Sequence, residues 1–200
     1  ASAVIRDYPE YYRWYSQKEF TWNGITQQNR NGLLWRDPSV DGVKTGHTKS
    51  AGYCLVVSAK RGDMRLVSAV MGTDSMRARE DANAALLNYG YNFFETKRIF
   101  AAGQPLTSVR VWKGAEPAVA LTLKRDLYVT GQRGRMGSVK AEFELPEHLV
   151  APLSAQTALG QARIVVEGST IASHDLYAAQ DVLRGGIFRR GIDTVKLWFD

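Results

Sequence analysis

Residues 41–48 read Asp-Gly-Val-Lys-Thr-Gly-His-Thr, and within them Lys44-Thr45-Gly46 is the run best equipped for chemistry. A strand edge carrying these residues could pair with an extended peptide. Gly46 has no side chain to block that close approach. Lys44 supplies a fixed positive charge, and the Thr45 hydroxyl can donate to a terminal carboxylate. By itself the tripeptide says little, since a given tripeptide turns up by chance in roughly a few per cent of chains of this size. Its setting says more: a strand edge, a second strand behind it, then a helix.

Those positioning elements can be read from pattern. Tyr53–Ala59 and Met64–Met71 are β-rich runs, and Lys60-Arg61-Gly62-Asp63 between them reads as a turn, which predicts a hairpin of long, largely buried strands. Arg61-Gly62-Asp63 is what turn chemistry asks for and is not taken as an adhesion triplet. Asp74 or Ser75 can cap a helix running from Met76 to about Thr96. Its apolar positions Ala82, Leu86, Leu87, Tyr89 and Phe93 recur at helical spacing, and Tyr89, Tyr91, Phe93 and Phe94 are expected in the core. Upstream, Ala1–Tyr8 reads as the tail of a helix, so the chain is expected to begin mid-domain. Pro9 marks a break, followed by helix or loop through Tyr15. Glu19–Trp22 has strand character, with Asn23-Gly24 as a hairpin turn. Gln27–Asp37 holds a polar loop and the short apolar run Gly32–Trp35.

Composition shifts after Arg98. Short β runs at Ser108–Trp112, Ala118–Leu123, Asp126–Val129, Lys140–Leu145 and Gln161–Glu167, divided by Gly and Pro, predict a small all-β domain. It shows no catalytic constellation, and its histidines, His148 and His174, are expected on the surface. In the tail, Phe188, Ile192, Val195 and Phe199 fall at steps of four, three and four, with Leu197 and Trp198 widening the apolar face. Arg184, Arg189, Arg190 and Lys196 surround it with positive charge. A basic amphipathic helix is a membrane-surface pattern.

Bulk properties set the outer bounds. The 200 residues are 44% hydrophobic and 23% charged, close to ordinary globular values, so disorder is not expected. The net charge of +6 favours anionic partners. Lys and Arg are scattered, with no basic stripe or nucleic-acid motif, so a nucleic-acid binder ranks last. The lone Cys54 excludes an internal disulfide and a cysteine-rich metal site. No apolar stretch is long enough to span a bilayer.

Several segments together resemble the low-molecular-mass penicillin-binding proteins that act as D-alanyl-D-alanine carboxypeptidases. They are Phe20-Thr21-Trp22-Asn23-Gly24-Ile25, Asn29-Arg30-Asn31-Gly32-Leu33-Leu34-Trp35, Val40–Thr48, Ala51-Gly52-Tyr53, Leu66–Met71, Arg79-Glu80 and Gly134-Arg135-Met136. Lys-Thr-Gly is one of the signatures of penicillin-binding proteins and serine β-lactamases. The resemblance covers essentially the whole chain and implies an α/β, β-lactamase/transpeptidase-like domain portion over residues 1–98. A small β-rich domain over 99–183 and an amphipathic anchor over 184–200 would follow. It implies a serine in an S-x-x-K motif that attacks the penultimate D-alanine carbonyl of a peptidoglycan pentapeptide. D-alanine leaves, water hydrolyses the acyl-enzyme, and β-lactams acylate the same serine.

Lys44, Thr45 and Gly46 match the family's third motif, and His47 matches the position whose backbone N–H completes the oxyanion hole. Arg79 matches an arginine near the substrate carboxylate, and Arg30 matches another arginine bordering the site. No cofactor or metal enters this reading, and the implied location is the periplasmic face of the bacterial inner membrane. The sequence holds neither S-x-x-K nor S-x-N, so the nucleophile is expected upstream of Ala1. Two rivals follow. One is a non-catalytic β-rich module that binds cell wall or membrane. The other is a serine β-lactamase relative, ranked lower because those enzymes lack the extra β domain and basic tail.

Overall fold

The computed structural model describes residues 1–136, 139–166 and 168–199, and the architecture is β-rich with a few helices. The chain forms two compact units, the first built from 1–96 and 130–133 and the second from 97–129 and 134–200.

The first unit opens with two short helices, α1 (Ser2–Asp7) and α2 (Pro9–Tyr12), and a 3-10 turn at Arg13–Ser16. Strands β1 (Glu19–Trp22) and β2 (Ile25–Gln28) form a hairpin. Asn23 and Gly24 both take positive φ at its tip, +48° and +74°, the backbone that a tight hairpin turn demands. The apolar run after it folds into one helical turn, α3 (Leu33–Arg36), with Leu33 and Leu34 buried.

Strands β3 (Val40–Thr48), β4 (Gly52–Arg61) and β5 (Met64–Thr73) make an antiparallel sheet in that order. The β4–β5 turn is only Gly62-Asp63, because Lys60 and Arg61 stay in register with Arg65 and Met64. The hairpin is long but only partly buried. Helix α4 (Met76–Phe93) packs on β4 and β5, with Leu55, Val57, Ala59, Met64 and Leu87 in the core between, while Val67 and Met71 are exposed.

Ser75 caps α4 through its Oγ, which accepts the Ala78 N–H at 3.0 Å. The helix ends at Phe93 rather than near Thr96, because Phe94 turns extended and begins strand β6 (Phe94–Phe100). Its buried stripe is Arg79, Asn83, Leu87 and Tyr91. Leu86, Tyr89 and Phe93 are exposed, so of the four aromatics expected in the core only Tyr91 is buried and Phe94 half-buried. The polar half of the stripe reaches into the strands: Asn83 Nδ2 donates to the Leu55 carbonyl and its Oδ1 accepts from Ser68.

The second unit is all-β apart from one helix. Its strands are β7 (Thr107–Trp112), β8 (Ala118–Thr122), β10 (Val139–Glu144), β11 (Leu149–Val150), β12 (Ala158–Val166) and β13 (Ser169–Ala178). They form one sheet in the order β10-β12-β13-β8-β7-β11, antiparallel except where β11 meets β7. Strand β9 (Leu127–Gln132) pairs instead with β6. Leu121, Leu127, Ile164 and Leu176 lie at the centre of its core.

The long strand β13, Ser-Thr-Ile-Ala-Ser-His-Asp-Leu-Tyr-Ala, is unexpected because its polar residues hide the period of two. Glu167, the expected end of a strand, and Asp200, the expected end of the tail, lie outside the described residues. His174 is exposed, whereas His148 is half-buried against the Trp112 ring at 5.6 Å. Helix α5 (Ile187–Lys196) closes the unit. No helix among the described residues is long and apolar enough to cross a membrane.

Candidate active site

Lys44, Thr45 and Gly46 lie in the second half of β3, which is the outer strand of its sheet among the described residues. Strand β4 backs them in register, Lys44 opposite Val56, Thr45 opposite Leu55 and Gly46 opposite Cys54. Lys44 is exposed and its ammonium donates to the Thr45 carbonyl at 2.7 Å. A Cβ built on Gly46 would meet only the Cys54 Cβ at 3.7 Å, an ordinary contact, so nothing inside the chain demands glycine there. Cys54 is a free, half-buried thiol. His47 is exposed and its ring stacks on Tyr53 at 4.0 Å, which fixes the imidazole plane at the end of the motif.

Two clefts flank the strand. One, of about 460 Å³, is lined by Arg30, Lys44, Thr45, Gly46, His47, Tyr53, Met76 and Arg79. The other, of about 590 Å³, is lined by Tyr11, Trp14, Tyr15, Asn29, Arg30, Val43, Lys44 and Thr45. Both volumes suit a small ligand or a short peptide. The structure therefore brings together all six residues singled out from the sequence, with Arg30, Lys44 and Thr45 shared by both clefts.

Arg79 is the residue whose setting differs most from a surface carboxylate binder. It is 2% exposed. Its NH1 donates to the Gly46 and Cys54 carbonyls at 3.1 and 3.2 Å, and its NH2 to the Arg30 carbonyl at 3.1 Å. One guanidinium thus ties together β3, β4 and the loop carrying Arg30. Its Nε is buried with no protein partner. The neighbouring Glu80 accepts the Gly32 N–H at 3.2 Å, and a Cβ on Gly32 would lie 2.5 Å from Glu80 Oε1. The Arg-Glu pair at the start of α4 is therefore a brace for both walls of the site.

A second set of supports was not legible as functional in the sequence. Asn31 is buried and its Nδ2 donates to the Gly42 carbonyl at 3.2 Å, while its Oδ1 accepts the Leu33 N–H. At the base of β3, Tyr12 Oη donates to Asp41 Oδ1 at 2.7 Å, and Arg65 grips both oxygens of the same carboxylate at 2.8 Å. Arg65 also donates to the buried Ser58 hydroxyl at 2.6 Å. Burial pushes the Tyr12 hydroxyl up to about 12, and hydrogen bonding to Asp41 raises Arg65 above the usual guanidinium value. Gly42 completes the contact, since a Cβ there would sit 2.7 Å from Tyr12 Oη. No local pattern signalled these partners, because Tyr12 and Arg65 are distant from Asp41 in sequence.

Comparison with known proteins fits this geometry. The family profile described as D-alanyl-D-alanine carboxypeptidase matches residues 1–75, and that of the penicillin-binding protein 5 C-terminal domain matches residues 94–184. The chain is 44% identical over 199 residues to D-alanyl-D-alanine carboxypeptidase DacA of Escherichia coli, covering 98% of this chain and 49% of the relative. It is 40% identical to DacC of the same organism, covering 98% of this chain and 50% of that one. Among solved structures, penicillin-binding protein 5 from Haemophilus influenzae superposes with a TM-score of 0.78 at 42% identity, over 92% of this chain and 54% of that one. The chain thus spans about half the length of the relatives it matches.

Proposed function

The chain belongs to the D-alanyl-D-alanine carboxypeptidases of the penicillin-binding protein 5 type, and from that membership we propose that it forms the substrate-binding edge of a serine-type carboxypeptidase. That enzyme removes the terminal D-alanine of peptidoglycan stem peptides through an acyl-enzyme and is inhibited by β-lactams. The carrying observation is that Lys44-Thr45-Gly46 lies on an outer strand between two clefts shared with Arg30. A stem peptide adds to β3 as a further strand. Gly46 faces no crowding from its own chain, so its bare backbone suits an approaching ligand.

In this reading the Thr45 hydroxyl donates to the terminal carboxylate, and Lys44 and Arg30 hold that charge in place. The His47 N–H completes the oxyanion hole, where one such donor contributes about 3 kcal/mol to the transition state. Arg79 adds positive charge behind the carboxylate while fixing the strand and the Arg30 loop. The S-x-x-K serine and S-x-N motif are supplied from outside these 200 residues. Joining the N-terminal half of the E. coli relative to residues 1–200 tests this. The chimera should take a fluorescent penicillin covalently and release D-alanine, and Lys44→Ala or Thr45→Val should slow acylation about a hundredfold or more. Acylation at an unchanged rate in both variants would mean that β3 is not the substrate edge.

We assign residues 1–98 to the α/β, transpeptidase-like peptidase domain, 99–183 to a separate β-rich domain and 184–200 to a membrane-surface anchor on the periplasmic face of the inner membrane. The exposed apolar residues of α5 and its surrounding arginines support that last assignment. Removing residues 185–200 should abolish sedimentation with anionic liposomes, and unchanged sedimentation would make the helix an ordinary packed terminus. A second reading, a non-catalytic cell-wall or membrane binding module, draws on the lack of S-x-x-K and S-x-N in the sequence. A penicillin adduct on that chimera whose formation is slowed by Lys44→Ala, followed by mass spectrometry, would exclude it.

A further inference from the structure

Helix α5 is inside out. Its one buried residue is an acid, Asp193, at 8% exposed, with the half-buried Arg189 and Leu197 four positions to either side. Turned away from them, Phe188, Ile192, Val195 and Phe199 are 91, 57, 56 and 86% exposed. A helix that merely packs on its own domain turns its apolar stripe inward. Here the attachment is polar. Asp193 Oδ2 accepts the Lys113 N–H at 2.7 Å, its Oδ1 lies 3.8 Å from Arg110, and Arg189 donates to the Ala115 carbonyl at 3.1 Å.

The lead-in to the helix is held on the same turn. Gly185 N–H donates to the Lys113 carbonyl and Ala115 N–H to the Leu183 carbonyl, both at 2.8 Å. A Cβ on Gly185 would lie 2.6 Å from the Gly114 oxygen, so the two backbones meet as closely as glycine permits.

We propose that Asp193 is an orientation latch: it fixes the rotation of α5 on the Lys113–Ala115 turn, so that the second unit meets an anionic lipid surface in one attitude. This rests on the membrane reading above and adds to it what sets the geometry. The charge pattern selects the occupant. Between Arg184 and Phe199 the only acid is Asp193, and the latch turns it inward, so the face left outside carries apolar side chains and the cations Arg184, Arg190 and Lys196. An anionic bilayer complements that face, and Trp198 beside it suits the headgroup boundary.

The test uses the 200-residue chain, Asp193→Ala, Asp193→Asn and Gly185→Val, with phosphatidylglycerol-containing bicelles bearing a spin-labelled lipid. In the unaltered chain, paramagnetic broadening should fall on one contiguous side of the second unit. In Asp193→Ala the Lys113 amide should exchange with solvent at least about tenfold faster and the broadening should spread around the unit, although bicelle binding persists. Asn, which keeps an acceptor, should recover most of the protection. Gly185→Val should loosen the helix with Asp193 intact, which covers the case in which Asp193→Ala disturbs folding. An unchanged broadening pattern in both Asp193→Ala and Gly185→Val would overturn the latch. If the unaltered chain binds no bicelle, the membrane reading fails and the lipid attitude fails with it, even though slow Lys113 exchange would still report the docking. Dimers formed through the apolar stripe without lipid binding would likewise overturn the proposal in favour of a second copy as occupant.

Discussion

At the scale of single residues, the site is held by side chains that spend their hydrogen bonds on backbone. Arg79 is the clearest case, with donors to Gly46, Cys54 and Arg30. Arg79→Ala strips those carbonyls of a charged donor in a buried place, and it should cost about 3 kcal/mol or more in urea unfolding. Lysine should recover only part, since one ammonium lacks the planar fork that spans three carbonyls. Tyr12 gives a pH signature. Its folded value of about 12 lies above the ordinary 10.0, so its contribution is fully present below pH 10 and is lost as pH rises towards 12. Tyr12→Phe should flatten the fall in stability across that window in denaturation series run from pH 9 to 12. An equally steep fall would mean that Tyr12 is not the group titrating there. The sequence singled out six of the residues lining the clefts, Arg30, Lys44, Thr45, Gly46, His47 and Arg79. It gave no supporting role to Asn31, Tyr12, Asp41 or Arg65, because their partners are set by folding and leave no local pattern.

At the scale of elements, the motif strand is pinned at its base and, among the described residues, has no strand paired on its outer edge. Gly42→Ala would press a Cβ to 2.7 Å from Tyr12 Oη and 3.2 Å from Tyr15 Cβ. It should lower the melting temperature by several degrees, as overpacking of about 1–3 kcal/mol does in a unit of this size. The N-cap of α4 is a milder control. Ser75→Ala removes the acceptor of the Ala78 N–H and should cost about 1 kcal/mol. The hairpins β1–β2 and β4–β5 were legible because Asn23-Gly24 and Gly62-Asp63 are strong turn signals between β-rich runs. The burial of α4 was legible only in part: Leu87 and Tyr91 are buried as expected, but Leu86 and Phe93 are exposed and the docked face also carries Arg79 and Asn83. Hydrogen bonds to strand carbonyls outweighed the hydrophobic pattern there. Strand β13 escaped notice for a related reason: Ser173, His174 and Asp175 are all exposed, on alternating faces, which breaks a simple polar–apolar alternation.

At the scale of the whole molecule, charge and apolar surface act together. The net charge of +6 is scattered, yet the terminal segment gathers Arg184, Arg189, Arg190 and Lys196 around exposed aromatics. Binding to anionic liposomes should therefore weaken as salt rises from about 0.01 M to about 1 M, where the screening length shrinks from roughly 30 to roughly 3 Å. A residual, salt-resistant fraction should remain from the apolar stripe, and complete loss at high salt would assign the contact to charge alone. The single cysteine has a use that needs no engineering. Cys54 is the one thiol in 200 residues, half-buried opposite Gly46 in the strand ladder. A trifluoromethyl tag on that sulfur would give one fluorine resonance per molecule, placed where the proposed pairing of a peptide with β3 would change the local field, so that pairing could be tested directly by one-dimensional spectroscopy.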